Sequence, residues 1–205
     1  MRDIAYLNIR IAHQVKGCAE GLLPYMYAEN MLKNTLVLAP PGQGKTTILR
    51  DMVRLVSDGN IKARGRSVAV VDERSEIAGC SQGVAGYDLG IRTDVLDGCP
   101  KTEGILMVVR SMAPDVIAVD EIAGEEDQKA LRMAAFSGCQ ILATAHGQEY
   151  EDLFCRQDIR ALWEEGIFSR CVLLEAQGMP GVVKAVFDQK KGCIYSKSNR
   201  SCLFV

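Results

Sequence analysis

A glycine-punctuated loop, Ala39-Pro40-Pro41-Gly42-Gln43-Gly44-Lys45-Thr46-Thr47, constrains this chain more than any other stretch. Ahead of it, Thr35 to Ala39 reads as a buried strand, because Leu36, Val37 and Leu38 form a short apolar run. Behind it, Ile48, Leu49, Met52, Val53 and Val56 recur at helical spacing, and Gly59 stands where a C-cap belongs. Strand, loop, Gly-Lys-Thr and helix in this order are the context a phosphate-binding P-loop requires. Pro41, Gly42, Gln43, Gly44, Lys45, Thr46 and Thr47 are the predicted phosphate-wrapping residues. Consecutive loop amides and a helix N-terminus there direct partial positive charge at an anion. Lys45 is placed to reach the outer phosphates, and the Thr46 hydroxyl to ligate Mg2+. The first glycine of the strict pattern is replaced by Ala39.

The 205 residues suffice for one sizeable core. A formal net charge of -2 provides no overall attraction to nucleic acid or anionic membrane. The 8 cysteines form no C-x-x-C pair, which disfavours a zinc site or redox dithiol and points to a reducing cytosol. No apolar run approaches a membrane span. The terminal Cys202-Leu203-Phe204-Val205 fits a prenylation signal poorly.

Further along, Ser67 to Asp72 reads as a second buried strand, ending in the charged cluster Asp72-Glu73-Arg74-Ser75-Glu76 where α/β sheets bind ligands. Ile77 to Gly98 is glycine-rich and reads as a long, partly ordered loop, with Arg92 its most notable residue. Asp97 is a candidate cap for a helix from about Lys101 to Met112, with Arg110 in its last turn. Val116-Ile117-Ala118-Val119-Asp120-Glu121 has the Walker B pattern, in which Asp120 holds Mg2+ and Glu121 polarises the attacking water. A helix through Ala130 to Phe136 follows. Gln140 to Gly147 is then a buried strand whose tip, Thr144 and His146, suits a γ-phosphate sensor. Two short helices and a strand over Cys171–Glu175 come next, then a turn over Gln177–Gly181 and a hairpin strand over Val182–Phe187. Gly192 to Val205 lacks periodicity and is expected to fray.

Repeated β-α alternation with buried strands predicts an α/β fold with a mainly parallel sheet covered on both faces, closed by a C-terminal hairpin. With Asp120-Glu121 it points to a three-layer P-loop NTPase core of RecA/AAA-like kind. In that class the sensor strand lies between the P-loop and Walker B strands.

Several strings carry a more specific likeness: Asn8-Ile9-Arg10-Ile11-Ala12, Asp72-Glu73-Arg74-Ser75-Glu76-Ile77-Ala78-Gly79, Gly90-Ile91-Arg92-Thr93-Asp94-Val95-Leu96-Asp97, Arg110-Ser111-Met112 and Ala143-Thr144-Ala145-His146-Gly147. Together they resemble the stage III sporulation protein AA family, whose members are similar to motor ATPases of type II and type IV secretion and of pili. The resemblance implies a Mg2+-dependent ATPase of the mother cell–forespore channel, acting as a homo-oligomeric ring, hexameric by analogy. It further implies a cytoplasmic, mother-cell location on the membrane face, docked to membrane proteins of the channel. Glu73 and Glu76 then correspond to an acidic box near the γ-phosphate, and Arg92 and Arg110 to arginines reaching a nucleotide across a subunit boundary. The family also carries a domain ahead of this core. Residues 1–34 are accordingly expected to be a linker or the end of that domain, 35–190 the ATPase domain, and 191–205 a disordered tail. Asp120 departs from secretion motors, which often lack a Walker B aspartate, and draws the chemistry toward AAA-like hydrolysis.

Two other functions share the same core. A nucleic-acid motor needs a basic stripe, for which Lys62, Arg64 and Arg66 form the only compact cluster. A nucleotide-switch scaffold would bind ATP without turnover.

Overall fold

The computed structural model describes residues 14–59, 63–177 and 180–198. The Asn8–Ala12 string, Lys62 and the last seven residues lie outside the described residues.

A 3-10 turn (Glu20–Leu22) leads into α1 (Leu23–Met26) and a small hairpin of β1 (Tyr27–Ala28) and β2 (Met31–Leu32). The main chain of elements is then β3 (Thr35–Ala39), α2 (Lys45–Asp58), β4 (Val68–Asp72), β5 (Thr93–Asp97), α3 (Lys101–Ser111), β6 (Val116–Val119), α4 (Gly124–Phe136) and β7 (Gln140–His146). It closes with α5 (Asp152–Cys155), α6 (Gln157–Glu164), β8 (Arg170–Leu174), β9 (Val183–Asp188) and β10 (Gly192–Ser196). One 8-stranded sheet runs β10-β9-β8-β3-β7-β6-β4-β5. The strands from β8 to β5 are parallel neighbours, and β9 and β10 add antiparallel to that edge.

Strands buried on both faces read as continuous apolar runs, because alternate side chains enter different cores. Leu36, Leu38, Ile117, Val119, Ile141 and Ala143 face a core completed by α3, α4 and α6, with Leu131, Leu162, Trp163 and Phe168. Val37, Val70, Ala118, Leu142 and Val172 face the opposite core, built from Ile48, Leu49, Met52 and Val53 of α2. Ala19, Leu22, Met26 and Leu32, ahead of β3, pack into that second core. The expected α/β, three-layer architecture is present. The strand that carries Thr144 and His146, β7, lies between β3 and β6, the position its class implies for a sensor strand.

Two expectations need correction. Thr93–Asp97, read as part of a loop, is an edge strand paired in register with β4 from Val68↔Thr93 to Asp72↔Asp97. Its polar, half-exposed residues hide the periodicity that buried strands display. Gly192–Ser196, read as a fraying tail, is the outermost strand and pairs with β9 around a register shift between Cys193 and Tyr195. A bulge breaks the two-residue alternation by which a strand is recognised.

The loop between β4 and β5 is also more organised than its glycines imply. Ile77, Ala78 and Leu89 are buried, and Tyr87 stacks its ring under the Arg50 guanidinium at 4.0 Å. Asp97 does not cap α3; its carboxylate accepts a 2.7 Å hydrogen bond from Ser75 Oγ, and α3 starts after Pro100 without a side-chain cap.

Gly104 shows how tightly α3 sits on the sheet, since a Cβ there would lie 2.5 Å from Val71 Cγ1. Alanine is the better helix former, yet Gly104→Ala should destabilise the fold by about 1–3 kcal/mol through overpacking. Urea denaturation of the two proteins measures the sign directly.

Candidate nucleotide site

The candidate site forms where β3, β6 and β7 end side by side. Ala39 pairs with His146 at the tips of β3 and β7, and Asp120 directly follows β6. Ala39 is fully buried in the α2-side core as the last residue of an extended strand. No left-handed backbone is required there, so the missing glycine is of no consequence. The glycines that the loop needs are Gly42 and Gly44, with φ of 75° and 83°. Gly44 is constrained doubly, because a Cβ would meet Gly181 N at 2.6 Å. Gly181 N in turn donates to Gln43 O at 2.9 Å, so the turn between β8 and β9 braces the loop. That contact joins residues far apart in sequence and is invisible in the turn's composition.

Helix α2 then begins at Lys45 with no side chain capping its first turn, which leaves the dipole's positive end to the loop. Lys45 Nζ donates to the carbonyls of Ala39 and Pro40 at 3.1 Å each and to His146 Nδ1 at 3.1 Å. Burial holds the Lys45 ammonium below its ordinary pKa, while the Glu121 and Asp120 carboxylates act in the other direction. An ammonium resting on neutral acceptors beside an uncapped helix start can exchange them for an anion.

Asp120 is the junction of the site. It accepts from Thr46 Oγ1 at 2.5 Å through one oxygen and from Thr144 Oγ1 through the other. Thr144 is fully buried and also accepts from Glu121 N at 2.9 Å, so it aligns the Asp120-Glu121 peptide from behind. Its burial suits positioning of Asp120 and Glu121 more than the direct sensing of phosphate expected from sequence. Among the described residues no group of three or more His, Cys, Asp or Glu side chains is arranged to hold a metal. Thr46 and Asp120 nevertheless fit Mg2+, which is bound through few protein oxygens together with substrate phosphates.

Glu121 takes a left-handed φ of 48°, uncommon for a non-glycine residue. Lys101 Nζ, reaching over from the first turn of α3, donates to its carbonyl at 2.6 Å. The carboxylate lies 3.1 Å from His146 Nε2 and 3.3 Å from Arg74 Nη1. Because Lys45 can only donate, His146 Nδ1 accepts and Nε2 carries the hydrogen that faces Glu121. His146 therefore connects Lys45 to Glu121, the candidate base.

Glu73 and Glu76 border a cavity of about 40 Å3 together with Asp72, Arg74, Lys101, Asp120 and Glu121. Asp72 serves the backbone: its carboxylate accepts from the amides of Glu76, Ile77 and Ala78 at 2.8–2.9 Å. Burial raises its pKa, and those three amides oppose the rise.

The two arginines stand elsewhere. Arg92 Nη1 donates to Ser57 O near the far end of α2, twelve residues beyond Lys45, or roughly 18 Å at 1.5 Å per residue. Arg110 is exposed in the last turn of α3, the end away from Lys101. Within one chain neither meets Glu121 or Lys45. Arg64 and Arg66 of the basic loop line, with Arg92, Tyr27 and Asp115, an open cavity at that same remote end of the sheet.

Arg74 and Lys101 are the residues that the sequence reading missed. Each contacts Glu121 from a different element, and no local spacing announces a partner 47 or 20 positions away.

Removing the Asp72 carboxylate should loosen the turn over residues 73–78 by about 1–3 kcal/mol, because three amides lose a charged acceptor. In Asp72→Ala, hydrogen exchange at Ile77 and Ala78 should accelerate while amides of the β3 and β7 centres keep their protection.

The Bacillus subtilis stage III sporulation protein AA is 47% identical over 198 residues, which cover 97% of this chain and 64% of that protein. The chain thus spans just under two thirds of that relative. Among solved structures, the Legionella pneumophila ATPase DotB superposes with a TM-score of 0.61 at 14% identity, over 87% of this chain and 52% of that one. The VirB11 ATPase of the Brucella suis type IV secretion system gives 0.58 at 14% identity, over 83% and 52%. At such identities the likeness shows a shared fold. The family model of sporulation stage III, protein AA matches residues 1–194, and the chain belongs to that family.

Proposed function

We propose that this chain is the catalytic core of a Mg2+-dependent ATPase serving the mother cell–forespore channel of endospore formation. The observation that carries this reading is the meeting of Lys45, Thr46, Asp120, Glu121 and His146 at the carboxyl ends of three adjacent parallel strands. Family membership supports the sporulation role, and the fold shared with secretion ATPases supports the motor-like one.

Phosphoryl transfer needs positioning and charge neutralisation more than covalent chemistry. The loop amides from Gly42 to Thr47 would wrap the phosphates, and Lys45 would leave the Ala39 and Pro40 carbonyls to meet the outer ones. Thr46 and Asp120 would hold Mg2+, which supplies charge neutralisation when bound. Glu121 would accept a proton from the attacking water, its backbone fixed by Thr144 and Lys101. Lys45 cannot serve His146 and a phosphate equally, so arrival of the nucleotide changes what His146 offers Glu121. Arg92 and Arg110, remote from their own site, would act only on a neighbour's nucleotide in a ring, hexameric by analogy with secretion motors. Among the described residues no helix is long and apolar enough to cross a membrane. Membrane attachment on the mother-cell side would come from docking to channel proteins.

Lys45→Ala should abolish binding of a fluorescent ATP analogue. Glu121→Gln should bind it as the wild type does, yet lose phosphate release by on the order of 10²–10⁴-fold. Undiminished hydrolysis in Glu121→Gln would sink its assignment as base. Specific activity that rises with protein concentration, and fails to rise in Arg92→Ala or Arg110→Ala, would identify the arginine acting between subunits.

A further inference from the structure

We infer that Arg74 is a positioning residue for the candidate base, holding the Glu121 carboxylate at the wall of a water-sized chamber during turnover. The inference rests on the ATPase reading above and adds to it a residue for which the P-loop and Walker B motifs have no counterpart.

The chamber is the cavity of about 40 Å3 between the ends of β4 and β6. A water needs roughly 10–15 Å3 of such space and two to four polar partners, so this one has room for the nucleophile and a neighbour. Its wall is unbalanced in charge. Five carboxylates (Asp72, Glu73, Glu76, Asp120 and Glu121) face two cations, Arg74 and Lys101. Lys101 is engaged with the Glu121 carbonyl and with Asp127. Arg74 is the chamber cation that addresses the Glu121 side chain, at 3.3 Å. Without it, Glu121 would face Asp120 and Glu73 with like charge and turn toward solvent.

The other partner of that carboxylate is His146, whose ring is tied to Lys45. A nucleotide draws Lys45 away, so the His146 contact is disturbed at the moment when Glu121 must be in place. Arg74 is independent of that exchange. Its backbone belongs to a turn pinned by the Asp72 carboxylate on three amides and by Ser75 Oγ on Asp97. The turn is held further by Arg50, which donates to the carbonyls of Glu76 and Ile77. A rigid base with an exposed, charged tip suits a residue that orients a neighbour. Arg74 is 68% exposed, so its ion pair adds little to stability and its loss should leave the fold intact.

The test compares wild type, Arg74→Ala and Arg74→Lys in the full-length protein. The readouts are ATP turnover, affinity for a fluorescent ATP analogue, and melting temperature. Displacing a catalytic group by about 1 Å costs on the order of 100-fold. Arg74→Ala should therefore lose roughly 10- to 100-fold in kcat, with KM and analogue affinity within about twofold of wild type and an unchanged melting temperature. Arg74→Lys should recover part of the loss, since the charge returns without the guanidinium's geometry. Unchanged kcat in Arg74→Ala overturns the role, and so does a raised kcat, which would make the pair a restraint. A loss confined to affinity also overturns it, by placing Arg74 on the nucleotide. Wild-type protein that binds the analogue but does not hydrolyse ATP overturns the ATPase reading itself, and this inference with it.

Discussion

Everything in the site depends on how the Asp120 carboxylate is shared. One oxygen takes the Thr46 hydroxyl and the other the Thr144 hydroxyl, which joins the first turn of α2, the end of β6 and the interior of β7. A carboxylate at a strand end has few ways to satisfy its acceptors while partly buried, and charge-assisted bonds to hydroxyls are the strongest at hand. The junction is possible only because β7 lies between β3 and β6. Thr144 then stands behind Asp120, and the same strand delivers His146 two residues later, on the same face, between Lys45 and Glu121.

Around that junction the chain places its parts by rigidity. The P-loop is held by left-handed glycines and by the backbone of Gly181, and the turn from Asp72 to Ala78 is pinned by a carboxylate on three amides. Groups that would meet substrate are less enclosed or carry exchangeable bonds. Lys45 rests on exchangeable acceptors, while His146 and Glu121 remain 44% and 34% exposed. The stiff frame that holds the backbone behind these side chains is what electrostatic preorganisation requires.

Much of this was legible in the order of residues, for a physical reason. Strands buried on both faces and an amphipathic helix leave strong local signals, so β3, β4, β6, β7 and α2 were recognisable from apolar runs and spacing. The loop between β3 and α2 was legible too, because Gly42 and Gly44 have a local purpose in its left-handed backbone. β5 and β10 were not: polar residues hide the alternation in the edge strand β5, and a bulge interrupts it in β10. Proximity to α3 makes Asp97 a candidate cap but says nothing of Ser75, 22 positions away, which holds it.

By itself, the sequence determined the strand, glycine loop and helix around Lys45, the apolar strand that ends at Asp120, the α/β class and the family likeness, because each is written in residues close along the chain. Tertiary structure alone decided which side chains meet Glu121. Arg74, Lys101 and the pair Thr144 and His146 come from three different segments and converge only when β4, β6, β7 and α3 are assembled. It decided, too, that Arg92 and Arg110 stand away from their own chain's site, although their strings are as recognisable as the rest. Sequence strings record residue types and spacing along the chain. Distance across a folded sheet is set by strand order, which depends on non-local pairing.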